Sequence, residues 1–302
     1  MKALSQENKL NQALKELYNV TGLQFSLLSN PELDTKQALE QIKHLTHAYR
    51  EKYNKSGFIQ ELLIEELSSS DIFYRAQKLH IEFHAKRAVY IIETKNAKDS
   101  TLLETLKNLF TNLTDDFIIE FSPNNIILVK TFYSKKSKVE LEQTANTIVD
   151  MLNTEAMSKV RVGYSSIIED LSQLIIAYKE ARLALDIGNL FYTNKATHCH
   201  SSLGLGRIIY HLPESLSTTF LKEILGTDPL NSIDEETLTT INIFFDNGLN
   251  IAETARKLYI HRNTLIYRIE KLQKLTGLDI RSFDDAVLIK IALMIIRHLK
   301  SR

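Results

Sequence analysis

Within seven residues, Arg262, Asn263, Thr264, Tyr267 and Arg268 collect two guanidinium groups, a carboxamide, a hydroxyl and a phenol. Those groups suit a polyanion whose edges also carry hydrogen-bonding atoms. A carboxamide can donate to and accept from an adenine edge at once, threonine can meet a base edge or a thymine methyl, and guanidinium groups bind phosphate. Lys257 and Lys271 flank the set. Over residues 256–274 the cations Arg256, Lys257, Arg262, Arg268, Lys271 and Lys274 face the single acid Glu270, a local excess of five. The whole chain is neutral, with 37 Lys and Arg against 37 Asp and Glu. Phosphate binding needs the local excess, not a basic protein.

Two short helices joined by a tight turn would position these groups. Asn250 is a good N-cap with Glu253 in the capping-box position, and Ala252, Ala255 and Leu258 are expected to form the inner face of the first helix. The chain turns through Tyr259, Ile260 and His261. In the second helix Leu265, Ile269, Leu272 and Thr276 recur at spacings of four, three and four and form its inner stripe. At about 100 degrees per residue, Asn263, Tyr267, Glu270 and Lys274 fall on the far side. Thr264 and Lys271 lie on one flank and Ile266 on the other. In a helix-turn-helix the start of the second helix meets base edges, so Asn263, Thr264 and Tyr267 are the base-reading candidates. Arg262 and Arg268 sit nearer the inner face, which suits a sideways reach to phosphate or an ion pair within the protein. A solvated amphipathic hairpin is the plainer alternative.

Residues 238–299, and above all HRNTLIYRIEKLQKLTGLDI with the preceding TLTTINIFFDNGLNIAETARKLYI, resemble the C-terminal helix-turn-helix of the PucR/CdaR-type regulators of purine and sugar-diacid catabolism. The resemblance implies a transcriptional regulator, in the main an activator, in which Arg262, Asn263, Thr264, Tyr267 and Arg268 form the recognition signature. Ile266 stands where many relatives carry Arg, so the operator of better-studied relatives does not transfer directly.

With 302 residues and 44% hydrophobic content, the chain can form two or three domains and is too apolar for disorder. The one cysteine, Cys199, fits a reducing cytoplasm and a packing role. The N-terminus lacks a signal-peptide core, and no apolar run reaches the roughly twenty residues of a membrane span. A cytoplasmic protein with no membrane partner is expected.

Residues 85–201 alternate strand and helix. Strands are predicted at 88–93, 117–121, 126–132 and 160–164, with helices near 101–113, 139–152 and 171–187, the last ending at Gly188. Ser122, Pro123, Asn124 and Asn125 join the central pair as a hairpin. The reading is a βαββαβα unit with a mainly antiparallel sheet and helices on one face. This region resembles the degenerate GGDEF-like domain of the same regulators, VRVGYSSIIEDLSQLIIAYKEARLALDIG being the most suggestive stretch. A working cyclase would carry metal-holding carboxylates at the hairpin, where this chain has Ser-Pro-Asn-Asn. The predicted fold is therefore α+β and helix-rich: a short, mostly helical N-terminal signal or dimerisation region at 1–84, the GGDEF-like domain at 85–201, a helical connector at 202–232, and an all-α helix-turn-helix domain at 233–302.

Before residue 54 the pattern offers an amphipathic helix (Leu10, Leu14, Leu17, Tyr18), a strand at 23–28 and a polar helix at 34–53. Helices are predicted at 58–67 and 71–79. Strand alternation separates Cys199 from His198 and His200, and His44 and His47 lack a further ligand nearby, so no metal site is expected. Glu235-Glu236 and Asp284-Asp285 read as helix starts. No phosphate loop or nucleophile elbow is present, so neither a cofactor nor enzymatic activity is expected. The partners implied are double-stranded DNA, a second copy of the chain and a small-molecule effector of unspecified identity. A module whose helix-turn-helix docks protein, and a cyclase-like nucleotide-handling enzyme, are the rival readings.

Overall fold

The computed structural model describes residues 9–15, 17–18, 35–52, 54–94, 100–110, 115–133, 137–226 and 233–301. The strand expected at 23–28 lies outside them, as does the side chain of His47. Near the N-terminus, residues 9–15 and 17–18 are helical, and Leu10, Ala13 and Leu17 pack with Ala38 and Ile42 of helix α1 (Thr35–Lys52). His44 on the same helix is exposed.

The central sheet has five strands: β1 (Lys86–Thr94), β2 (Phe117–Ser122), β3 (Asn125–Phe132), β4 (Val160–Tyr164) and β5 (Thr197–Cys199), in the order β2-β3-β1-β4-β5. The pairings of β1 with β3 and β4, and of β2 with β3, are antiparallel. The short β5 runs parallel to β4 and extends the sheet beyond the four strands expected.

Helices cover both faces of this sheet, which corrects the one-face expectation. On one side Val89, Ile91, Ile127 and Val129 pack with α2 (Lys55–Ile64), α3 (Ser69–Lys78) and α6 (Leu174–Phe191) through Ile59, Leu63, Ala76, Ala177 and Ala181. On the other, Ala88, Tyr90, Ile92 and Leu128 pack with α4 (Ser100–Phe110) and α5 (Ser137–Thr154) through Leu102, Leu106, Ala145 and Ile148. The signal lies in β1 itself. Residues 88–92 are apolar at odd and even positions alike, and such a run belongs to a strand buried on both faces. The helix expected to stop at Gly188 continues to Phe191. Gly188 is needed for close approach instead, because a Cβ there would lie 2.1 Å from the buried His198 ring.

The C-terminal third is all helical: α7 (Leu205–Tyr210), α8 (Glu214–Leu225), α9 (Glu235–Asp246), α10 (Ile251–Lys257), α11 (Arg262–Thr276) and α12 (Phe283–Lys300). The segment read as a connector contributes Ile209, Leu221 and Leu225 to the same core as Phe244, Leu265, Ile269, Leu272 and Ile289. It is therefore packed into the helix-turn-helix unit. Among the described residues no helix is long and apolar enough to cross a membrane.

Candidate nucleic-acid interface

Local sequence sets both helices of the motif. The Asn250 side chain accepts from the Glu253 backbone N–H at 3.1 Å, capping α10. The reciprocal half of a capping box is not made, because the Glu253 carboxylate accepts instead from Arg256 Nη2 at 2.7 Å. Thr254 and Ala255 form the buried side of α10 with Leu258 half-buried. Ala252, expected on that face, is exposed, since Thr254 and Ala255 at the centre of this seven-residue helix turn it outward. His261 caps α11 by accepting from the Asn263 N–H at 3.3 Å, and Gly277 ends it in the left-handed conformation with φ 74°. Leu265, Ile269 and Leu272 are buried as the period demands, and Thr276 is half-buried.

The turn holds a feature that the spacing did not reveal. Tyr259 adopts φ 54° and is 96% exposed. Ile260 N–H bonds the Ala255 carbonyl at 3.1 Å and Tyr259 N–H the Arg256 carbonyl at 3.2 Å, so the helix end is closed as glycine commonly closes one. A tyrosine there pays steric strain and gains no packing.

On the outer face, Asn263, Thr264 and Tyr267 are exposed, and none of their side chains is hydrogen-bonded among the described residues. Ile266, expected on the outer flank, is half-buried. The cations divide into two groups. Lys257, Arg262 and Lys274 are exposed and unpaired among the described residues. Arg268 is held inward: its Nη1 donates to Thr240 Oγ1 at 2.8 Å and its Nη2 pairs with Glu236. Lys271 Nζ donates to Asp234 Oδ2 at 2.8 Å. Asp234 is also the N-cap of α9, accepting from Thr237 N–H at 2.7 Å. The Lys271 ammonium, helped by that N–H, holds the Asp234 carboxyl far below its ordinary range, and Asp234 in turn raises Lys271. Of the six cations counted in the sequence, Arg256, Arg268 and Lys271 are thus neutralised within the fold and three remain free.

In the middle domain the β2–β3 hairpin turns at Pro123 and Asn124, where Asn125 Nδ2 donates to Ser122 Oγ at 3.1 Å. No carboxylate occupies this turn. His198 is buried against Gly188, while His200 Nδ1 lies 3.3 Å from Glu180, so the two rings engage different partners. Cys199 Sγ is 3.1 Å from Ser201 Oγ.

The family described as PucR C-terminal helix-turn-helix domain matches residues 237–295, and the GGDEF-like domain family matches residues 65–187. The chain is 22% identical to the carbohydrate diacid regulator of Escherichia coli (strain K12), over 87% of this chain and 71% of that one. It is 25% identical to the purine catabolism regulatory protein of Bacillus subtilis (strain 168), over 51% of this chain and 30% of that one. A third relative, the proline-responsive transcriptional activator PutR of the same organism, is 22% identical over 82% of this chain and 63% of its own length.

Proposed function

Because the chain belongs to the PucR/CdaR-type transcriptional regulators, with a PucR C-terminal helix-turn-helix behind a GGDEF-like domain and no enzymatic role, we propose that α11 enters the major groove of a specific DNA site and activates nearby genes. One observation carries this reading: Asn263, Thr264 and Tyr267 form an exposed, unengaged polar row on a helix whose opposite side is buried core. Asn263 and Thr264 sit in the first turn, where base edges come within reach, and Tyr267 lies one turn on. Lys257 and Arg262 anchor phosphates directly. Arg268 and Lys271 join that set by exchanging Glu236 and Asp234 for phosphate. One short helix covers few base pairs, so a homodimer on paired half-sites supplies the remaining affinity. A small-molecule effector acts on the upstream domains, and the protein works in the cytoplasm. The test is fluorescence-anisotropy binding of the intact chain to promoter DNA from its own locus and to a scrambled duplex at stated salt. Equal affinity for the two would sink sequence-specific reading.

The Asp234–Lys271 pair gives a sharper expectation. Asp234→Asn keeps an N-cap of similar quality but removes the competing charge. Binding to any duplex should tighten several-fold at low salt. The slope of log affinity against log salt should hold, because Lys271 meets the same phosphate with or without Asp234, whereas Lys271→Gln should lessen it by about 0.9, the value of one phosphate contact. A slope in Lys271→Gln equal to the parent's would remove Lys271 from the phosphate set.

Tyr259 belongs to the proposed interface as well, since its exposed phenol at the turn has no structural return. Tyr259→Gly should leave the melting temperature unchanged or raise stability by up to about 1 kcal/mol, because strain is relieved at some entropic cost. The same variant should bind DNA more weakly. Unaltered DNA affinity would return Tyr259 to a purely structural place.

A further inference from the structure

Between the C-terminal end of α6 and the helices α9 and α12 lies a cleft of about 700 Å³. That size falls within the roughly 300–1,000 Å³ of small-molecule sites, which favour the junction of two domains. The middle domain supplies one wall with Leu190, Phe191 and Lys195, and the helix-turn-helix unit supplies the other with Leu238 and Met294.

The charges lining the cleft are unbalanced. Lys195, Lys290, Arg297 and Lys300 face only Glu235 and Asp246, four cations against two carboxylates, an excess of two. None of the four cations is ion-paired among the described residues. Arg297 donates from Nη1 to the Leu190 carbonyl at 3.4 Å, and its other N–H donors have no partner among the described residues. Lys290 is half-buried, its ammonium 4.8 Å from the Phe245 ring centroid. Burial lowers its pKa, Asp246 opposes that shift and Arg297 adds to it. The partly desolvated Lys290 ammonium is also repelled by the Arg297 guanidinium, and an anion placed between the two cations would offset both effects.

We propose that this cleft binds a small organic anion with an apolar body. Lys290 and Arg297 hold the charged group, and Leu190, Phe191, Leu238 and Met294 receive the apolar part. Carboxylate, sulfonate and phosphate heads share the chemistry. The ligand would touch both domains at once and tie α6 to α12, whose core also carries α11. The site does not depend on what α11 binds.

Two dyes with one ring system test the charge requirement in the intact chain. 1-Anilinonaphthalene-8-sulfonate should bind saturably at one site per chain, and Arg297→Gln and Lys290→Gln should each weaken it by at least about tenfold, the worth of one charge-assisted contact. The uncharged N-phenyl-1-naphthylamine should bind parent and variants alike. Octanoate should displace the sulfonate dye and octanol should not. Lys222→Gln, on α8 outside the cleft, should leave sulfonate binding unchanged. Arg297 is exposed, so Arg297→Gln carries the test even if Lys290→Gln melts early. Unchanged sulfonate affinity in Arg297→Gln, or equal displacement by octanoate and octanol, overturns the proposal.

Discussion

Replacing Asn263 with Ala should cost the protein about 1–3 kcal/mol of discrimination between its own site and a scrambled duplex, roughly five- to 150-fold in relative affinity. Loss of a bidentate base contact has that magnitude. The scrambled duplex should bind as before, because Asn263 carries no charge, and the salt slope should also hold. Asn263 is exposed and its side chain makes no bond within the protein among the described residues, so the helix does not depend on it. The two outcomes together distinguish base reading from phosphate anchoring, which would weaken both duplexes equally. Anisotropy titrations on paired duplexes at several salt concentrations read both quantities. A parallel loss on the two duplexes would move Asn263 out of the base-reading set.

Phe244→Ala should act through the scaffold instead. Phe244 on α9 is fully buried, in the core that also holds Leu265, Ile269 and Leu272 of α11. Truncating a buried phenylalanine costs about 3–5 kcal/mol, part transfer and part cavity. For a unit of this size that is about 10–30 °C in melting temperature. Calorimetry should show the C-terminal unit melting early, while the GGDEF-like domain, with two separate cores around its sheet, keeps its own transition. Below the lowered transition, discrimination between duplexes should survive, because no proposed base-reading side chain has changed. Loss of less than about 1 kcal/mol would mean that α9 does not share a tight core with the recognition helix.

The contrast between the variants follows how the motif is built. Its inner surface was legible because burial imposes a period: Leu265, Ile269 and Leu272 can share a core only on one side of a helix. Caps were legible for the same local reason, since Asn250 satisfies an N–H three residues ahead. Ala252 shows the limit of such reasoning. A small residue fits either face of a short helix, so its identity says little about orientation. Tyr259 shows another limit, because a positive φ at a tyrosine contradicts ordinary preference and accompanies a helix end closed by the Ile260 N–H on the Ala255 carbonyl.

Charge was the property most altered by the fold. The excess of five over residues 256–274 is correct as a count, yet Arg268 and Lys271 meet Glu236 and Asp234 from 32 and 37 residues earlier. The sheet gives a parallel case. The run at 88–92, apolar on both faces, carried the signal for cover on two sides, but which helices supply it depends on α2, α3 and α6 packing against one face and α4 and α5 against the other.

By itself, then, the sequence determined the helices and caps of the motif, the four main strands, the polar row on α11 and the kinship with this regulator family. All of these rest on periodicity, turn chemistry and short patterns acting within a few residues. Tertiary structure alone decided which cations are free to meet phosphate, which helices cover each face of the sheet, and that a cation-rich cleft opens between α6 and α12. Those outcomes depend on groups far apart in the chain being brought within a few ångströms, where desolvation and ion pairing set their charge state.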